Sequence, residues 1–407
     1  SIKNQNCSFF PVGYKSLISA AVMLLPLSGV FTQFFLLLLL LSSVLFSRKS
    51  FQYQKKSFLV YLSISSIFLW LLIVNFTYSD ILASIADLGP MIPMVVIGAL
   101  VFYTVENRSS LVMTISTSAV AGLFFLFSLY LLREVLTFRL NLGFETNFYA
   151  SRFEGFSGNA IPFSFVVSIA AIFAIFNAHK SGWVGRFFKV SAFIIAFFLV
   201  AWESQSRGPT IGLTIVLSLL IVFYLFRLDK YLFYFVLFIT LLCITVLMQN
   251  SNFFIPDRLS TSVNMMLNGE LNSSDKKRFQ MWNAGIQSVK ENPLIGLGSI
   301  DRVKKAIEGK DHYKQLSGFK HLHNDLISAG VSGGVLASFL ALVALFSPVI
   351  AWLIMRRKSS EGFLLATSSV SIIFSTSMSN TVLFHDSLSA VTAFVAVVVV
   401  WLERSLR

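Results

Sequence analysis

Charge is scarce in this sequence: only 13% of its 407 residues are Asp, Glu, Lys or Arg. An ordinary soluble domain carries about 25%. So little charge, set against 56% hydrophobic residues and a mean hydropathy of +0.76, excludes a typical soluble fold and points to a chain that crosses a membrane many times. Cysteine is almost missing. Cys7 and Cys243 are the two present, which excludes a disulfide framework or a thiolate metal site. No HExxH or CxxC occurs, and no internal repeat, heptad run or low-complexity linker divides the chain, so 1–407 reads as a single integral domain. No basic patch with interleaved aromatics sits in a soluble segment, so nucleic acid is not an expected partner. Ionisable residues are nearly absent from the centres of the apolar runs, which argues against an ion-coupled transporter or proton relay.

What is present is a succession of apolar runs. A helix needs about 20 mostly apolar residues to span the hydrocarbon of a bilayer. Such runs are placed near 16–30, 32–46, 57–76, 88–104, 110–132, 160–177, 190–205, 210–226, 231–248, 326–355, 362–383 and 388–403. They are continuous rather than alternating, which disfavours a β-barrel. The expected fold is an all-α polytopic membrane protein of about twelve spans. Run 326–355 exceeds one crossing and contains Gly330, Gly333 and Gly334, which suggests a tilt or bend.

Orientation follows from the basic residues. Arg48, Lys49, Lys55, Lys56, Arg108, Lys180, Arg186, Lys189, Arg227, Lys230, Arg356, Arg357, Lys358, Arg404 and Arg407 all fall in alternate connections. The positive-inside rule makes those connections cytoplasmic, together with both ends of the sequence. Lys3 and Lys15 precede the first apolar run with no cleavage signal standing out, so that run is expected to be retained. The net charge of +13 is then mostly topological anchoring and contact with anionic membrane lipids. Segments 133–159 and 249–325 fall on the extracytoplasmic side, where chemistry has room.

Four polar clusters map to that side. In WESQSRGPTIG, Arg207 stands at the outer end of one span and Gly208 and Pro209 open the next helix. A cation beside free helical N–H groups makes an anion site; a snorkelling interfacial arginine is the alternative. In SSDKKRFQMWNAGIQSVKENP, Phe279, Trp282, Ile286 and Val289 form the apolar stripe of an amphipathic helix that Pro293 ends. Lys276, Lys277 and Arg278 crowd its first turn, where the helix dipole disfavours each cation by about 0.3–1 kcal/mol. That violation suggests a compensating anion, with plain solvation as the alternative. In FKHLHND, His321 and His323 offer a general base. Zinc would need further ligands. Asn324 is read as a cap on the following helix or as a substrate contact. In RFEGFSGNAIPF, Arg152 could add to an anion site, and Gly155 and Gly158 permit a close backbone approach. His385 and Asp386 sit in a short outer connection with solvation as a sufficient explanation, and His179 is cytoplasmic.

SQSRG at the outer end of a span, an Arg followed by a Trp and then NPLIGLG in a large loop, and HLHND leading into a span resemble the bacterial O-antigen ligase and O-antigen polymerase superfamily. The likeness covers about twelve spans with one large periplasmic loop, here 249–325. It implies an integral-membrane glycosyltransferase of the C type, metal-independent and without cofactor. Such an enzyme moves a polysaccharide from undecaprenyl pyrophosphate to the lipid A core oligosaccharide at the periplasmic face of the inner membrane. The family's essential arginines match Arg207 and Arg278, and its essential histidine matches His323. His321, Arg152, Lys276, Lys277 and Asn324 are expected substrate contacts. Within the superfamily a polymerase or a protein O-oligosaccharyltransferase is the alternative, and a flippase of lipid-linked sugars is a second one. A flippase would line its spans with cations, which are sparse here.

Overall fold

The structure is a computed structural model that describes residues 14–46, 54–79, 81–103, 108–136, 153–154, 157, 159–225, 273–309, 316, 318–319, 321–355 and 359–404. Among the described residues there is no β-strand. The helices are α1 (Tyr14–Leu24), α2 (Gly29–Phe46), α3 (Lys55–Asn75), α4 (Ile81–Leu88), α5 (Ile92–Gly98), α6 (Arg108–Leu136), α7 (Ala160–Ile175), α8 (Trp183–Phe198) and α9 (Arg207–Leu225). Further along the chain come α10 (Ser273–Glu291), α11 (Arg302–Ile307), α12 (Asp325–Leu345), α13 (Ser347–Ile354), α14 (Ser360–Ser377) and α15 (Asp386–Arg404).

Seven described stretches are long and apolar enough to cross a bilayer: Lys55–Asn75, Leu82–Phe102, Ser110–Leu132, Ala160–Lys180, Trp183–Glu203, Asp325–Leu345 and Asp386–Arg404. Tyr14–Leu24, Gly29–Leu45 and Arg207–Val222 are apolar but shorter. The chain is a polytopic α-helical membrane protein. The run expected at 88–104 begins earlier, at Leu82, because Pro90 is taken up by a 3₁₀ turn, Gly89–Met91, between α4 and α5. The run expected at 231–248 lies outside the described residues.

Helices α7 and α15 are apolar on all sides and buried along nearly their whole lengths, as a helix at the centre of a bundle must be. The outer helices turn apolar side chains outward instead. Val30, Phe34 and Leu45 on α2 and Trp183 and Ile194 on α8 are all more than half exposed, the pattern of a surface solvated by lipid.

Helix α12 is broken in the middle. Gly333 (φ −146°, ψ 24°) and Gly334 (φ 75°, ψ −171°) leave the helical region, and the broken turn receives the 293–298 loop. The Leu297 and Gly298 N–H groups donate to the Val331 and Ser332 carbonyls at 2.7 and 3.1 Å, and the Val335 N–H donates to Pro293 O at 2.8 Å. The Trp70 indole donates to Gly333 O at 2.8 Å. Irregular backbone inside a membrane protein survives only where other protein groups satisfy its N–H and C=O groups; here the NPLIGLG loop and α3 do so. The expected bend of 326–355 is therefore present, and α13 follows it after Phe346.

A second, smaller core supports this loop. Met281, Ala284, Val303, Ala306, Ile307, Leu316, Leu322 and Val331 are buried together. Asn75 at the end of α3 accepts the Ser299 N–H at 2.9 Å and donates to the Ser299 hydroxyl, while the Tyr78 hydroxyl donates to Gly296 O at 2.8 Å. The segment from 273 onward thus rests on the ends of α3 and α12 as a built layer.

Gly334→Ala would place a Cβ 2.4 Å from Leu294 O and hold a substituted residue in a region open essentially to glycine alone, at about 1–3 kcal/mol for the backbone. Thermal unfolding in detergent should therefore fall further for Gly334→Ala than for Gly309→Ala, where φ is 72° and no atom lies within 4 Å of the added carbon. Equal losses would show that the loop does not confine the kink.

Candidate active site

The site begins where α8 ends. A π-helical turn, Leu199–Glu203, closes α8. The SQSRG stretch that follows is fixed by buried hydroxyls: Ser206 donates to Ala160 O at 3.0 Å, Ser204 to Ser206 at 2.9 Å, and the Ser164 and Ser204 hydroxyls are hydrogen-bonded. These serines hold the chain against the start of α7 and are closed off from substrate. Gln205 adopts φ 51°, a left-handed conformation that non-glycine residues take at a cost. Helix α9 then starts at Arg207 and lies directly on α14. A Cβ on Gly208 would sit 2.8 Å from Ser375 O, and one on Gly212 2.8 Å from Ile372 Cα. Small residues four apart let two membrane helices approach this closely, and that approach sets where Arg207 stands.

Helix α10 brings the second arginine. The Arg207 Nη1 donates to both carboxylate oxygens of Asp275, at 2.9 and 2.7 Å. Arg278 Nη1 lies 3.8 Å from the same carboxylate. The side chains are 24%, 20% and 25% exposed for Arg207, Asp275 and Arg278, so the cluster is sheltered yet reachable. Asp275 lies in the first turn of α10, where a carboxylate is favoured by the dipole that disfavours the neighbouring cations. It supplies the compensating anion that the basic run called for. Lys276 and Lys277 are exposed on the same turn.

The buried face of α10 differs from the stripe expected. Phe279 and Ile286 are 46% and 44% exposed, whereas Met281, Ala284, Gly285 and Ser288 are buried. Both sets have helical spacing. The smaller one wins because α10 must lie against Leu322 and Ile327, where a Cβ on Gly285 would come within 2.5 Å of Ile327 Cγ2.

His323 stands just before α12 with φ 53° and its Nδ1 3.3 Å from Asn380 Oδ1. Burial, and then the Arg278 guanidinium, hold its imidazole below the ordinary histidine value, and the Asn380 hydrogen bond offsets part of this. It is therefore neutral at neutral pH, the form that accepts a proton. His321 precedes it in the same irregular stretch, half-buried. Asn324 caps α12, its Oδ1 accepting the Ile327 N–H at 3.1 Å. Asp325 is fully buried and accepts the Val382 N–H at 2.7 Å and the Leu383 N–H at 3.2 Å. Arg302 of α11, 7% exposed, stacks over Phe384 with its guanidinium carbon 4.2 Å from the ring centroid. Burial pulls Arg302 below its usual value, and the charges of Asp87 and Asp325 pull it back.

Arg207, Arg278 and His323 thus meet at one end of the bundle. Arg152, Gly155 and Gly158 lie outside the described residues, although Phe153 donates its N–H to Glu203 O at 2.9 Å, beside SQSRG. His385 is engaged by Asp386 at 3.2 Å instead. Among the described residues no three His, Cys, Asp or Glu side chains converge as metal ligands. Sequence reasoning assigned no role to Asp275, Arg302, Asp325 or Asn380. Asp275 could have been found from its place immediately before Lys276 in a helical first turn; Asn380 carries no such signal.

Residues 190–342 match the family model described as O-antigen ligase. Over this segment, less than half of its length, the chain is similar to the O-antigen ligase family. The matched segment contains Arg207, Arg278, His323 and the break in α12, and it ends before Asn380. An uncharacterized protein of Haemophilus influenzae is 25% identical over 193 residues, which is 45% of this chain and 48% of that protein. The chain spans about half the length of this curated relative in that match.

Within the family segment, Asp325 is the side chain whose loss should be felt most in stability. A buried hydrogen-bonding group left without its partner costs about 1–3 kcal/mol, and Arg302, buried in α11, feels the charge of Asp325. Asp325→Asn should lower the unfolding temperature markedly, and adding Arg302→Met should cost less than the sum of the two single changes. A double-mutant cycle in thermal unfolding measures this; strict additivity would mean that the two charges are not coupled.

Proposed function

We propose that the protein is an O-antigen ligase that transfers a polysaccharide from undecaprenyl pyrophosphate to the lipid A core oligosaccharide. The observation that carries this reading is the convergence of two arginines on one anion-binding point, with a neutral, half-buried histidine under the charge of one of them. The full arrangement proposed is about twelve spans in the inner membrane, both ends of the sequence cytoplasmic, with the 249–325 loop and the site facing the periplasm.

The chemistry follows from the residues. As the acceptor hydroxyl attacks the anomeric carbon of the donor, His323 takes its proton, a contribution of typically about 10²–10⁴ in rate. The new C–O bond forms as the bond to the diphosphate breaks, which inverts the anomeric centre. Negative charge gathers on the departing diphosphate, where the planar forks of Arg207 and Arg278 neutralise it. Asp275 holds both guanidiniums before the donor arrives, and the diphosphate, with more oxygens and more charge, takes its place. Lys276, Lys277, His321, Arg152 and Asn324 are the proposed substrate contacts around this centre. No metal is assigned a part in the reaction, since two cations already stand where the charge develops.

A deletion strain carrying this chain decides between the readings. A ligase should abolish the build-up of unligated polysaccharide on its lipid carrier and restore capped lipopolysaccharide; restored chain length alone would make it a polymerase. In the same assay His323→Ala should abolish transfer with membrane insertion intact, and near-normal transfer would overturn the base assignment. Arg207→Lys and Arg278→Lys should each lower transfer at least about tenfold, the scale of one lost charge-assisted hydrogen bond. The rate should rise with pH through a midpoint below the ordinary histidine value of 6.5, because the base must be deprotonated and its pKa is lowered. A midpoint above that value would contradict the environment described for His323.

A further inference from the structure

We propose that Asn380 orients the base: its Oδ1 accepts the His323 Nδ1–H, which fixes the tautomer and leaves Nε2 as the lone pair that receives the acceptor's proton. This rests on the reading of His323 as the base. The ring nitrogen and the amide oxygen are 3.3 Å apart, and Asn380 is buried at 8% exposure. In an imidazole, the hydrogen bond made by one nitrogen decides which of the two carries the proton.

Asn380 is itself held firmly. Its N–H donates to Thr376 O at 2.9 Å, continuing the last turn of α14. Two residues further on, the Val382 and Leu383 N–H groups are gripped by Asp325, and Asp325 lies only two residues beyond His323. The turn that carries Asn380 and the turn that carries His323 are therefore tied by two backbone N–H groups that donate to one buried carboxyl group. His323 has little freedom on its own side, being fixed at φ 53° with its ring edge against Phe319 at a centroid distance of 6.0 Å. The end of α14 also seats α9 through Gly208 and Gly212, so one element spaces Arg207 and the base relative to each other.

The charged groups around the ring are Arg278 from α10, and Asp325 with Arg302 behind it. Arg278 opposes a second proton on the ring. Asp325 turns its oxygens to the 382–383 backbone, which leaves Asn380 as the acceptor for Nδ1–H.

The test uses the full chain in lipid nanodiscs, with Asn380→Asp, Asn380→Leu and His323→Ala. Two readouts are taken: the pH dependence of His323 carbethoxylation by diethyl pyrocarbonate, followed by mass spectrometry of its peptide, and kcat and KM for glycan transfer. Asn380→Leu should move the carbethoxylation midpoint to lower pH and cut kcat about tenfold or more with KM little changed, the scale of one lost orienting contact. Asn380→Asp, a stronger acceptor, should move the midpoint to higher pH and keep kcat within about tenfold of the parent. Unchanged midpoints and kcat in both variants would overturn the proposal, as would an Asp variant as impaired as the Leu variant, since Asn380 would then be a donor. If Asn380→Leu does not fold, Asn380→Asp against the parent decides by the direction of its midpoint. Full transfer by His323→Ala would defeat the base assignment alone, because the midpoint shifts report the hydrogen bond whether or not the ring is a base.

Discussion

The carboxylate of Asp325 sits with no exposed surface between three pieces of chain that are distant in sequence. It begins α12, it receives the backbone of Val382 and Leu383, and it faces Arg302 from the 273–324 layer. A carboxyl group in such a place must find hydrogen-bond partners, and the Val382 and Leu383 N–H groups supply them. The need to satisfy one buried carboxyl thereby becomes a geometric constraint, because the start of α12 and the 382–383 turn cannot separate without leaving it unpaired. His323 and Asn380 each lie within a few residues of this junction. Their distance is consequently a property of the fold rather than of two flexible side chains.

The same logic governs α12. A straight helix would offer the 293–298 loop nothing to bind, and a free broken turn would leave backbone groups unsatisfied. Together they complete each other: Gly333 and Gly334 open the turn, and Pro293, Leu297 and Gly298 fill it. The loop that carries Arg278 is thus anchored on the helix that His323 precedes. The contact is made by main-chain groups, which tolerate side-chain variation but not the addition of a Cβ at Gly334.

How much of this was legible follows from the kind of signal each part leaves. Apolar runs announce themselves by length, and helices stand at all the expected places that fall within the described residues, although fewer of them reach full crossing length than the twelve runs imply. The glycines in 326–355 signalled the bend, because such residues are rare in a helix without a reason. Arg207 stood out as charge at the end of an apolar run, Arg278 as a cation in a helical first turn and His323 by its place before an apolar run; Asp275 ties the two arginines together, and the charge of Arg278 acts on His323. The expected face of α10 is half right: Val289 packs on the smaller core and the Trp282 indole donates to Leu322 O, but Phe279 and Ile286 are exposed and Met281, Ala284, Gly285 and Ser288 are buried instead. Asp275, Arg302 and Asn380 were opaque for another reason. Each is an ordinary polar residue in its own segment and acquires a role only from a partner elsewhere in the chain, 68 residues away for Asp275 and 57 for Asn380.

The electrostatic arrangement of the site then makes physical sense as a balance. Two guanidiniums near a membrane surface, unopposed, would repel each other and would also suppress any base beside them. Asp275 relieves the repulsion, and its carboxylate is partly exposed. Burial first, and the Arg278 charge second, hold His323 below the ordinary histidine value, and the Asn380 hydrogen bond offsets part of this. An anion site and a general base make opposite demands on local charge. On the proposed reading, one carboxylate between the arginines and one uncharged acceptor on the histidine would reconcile them.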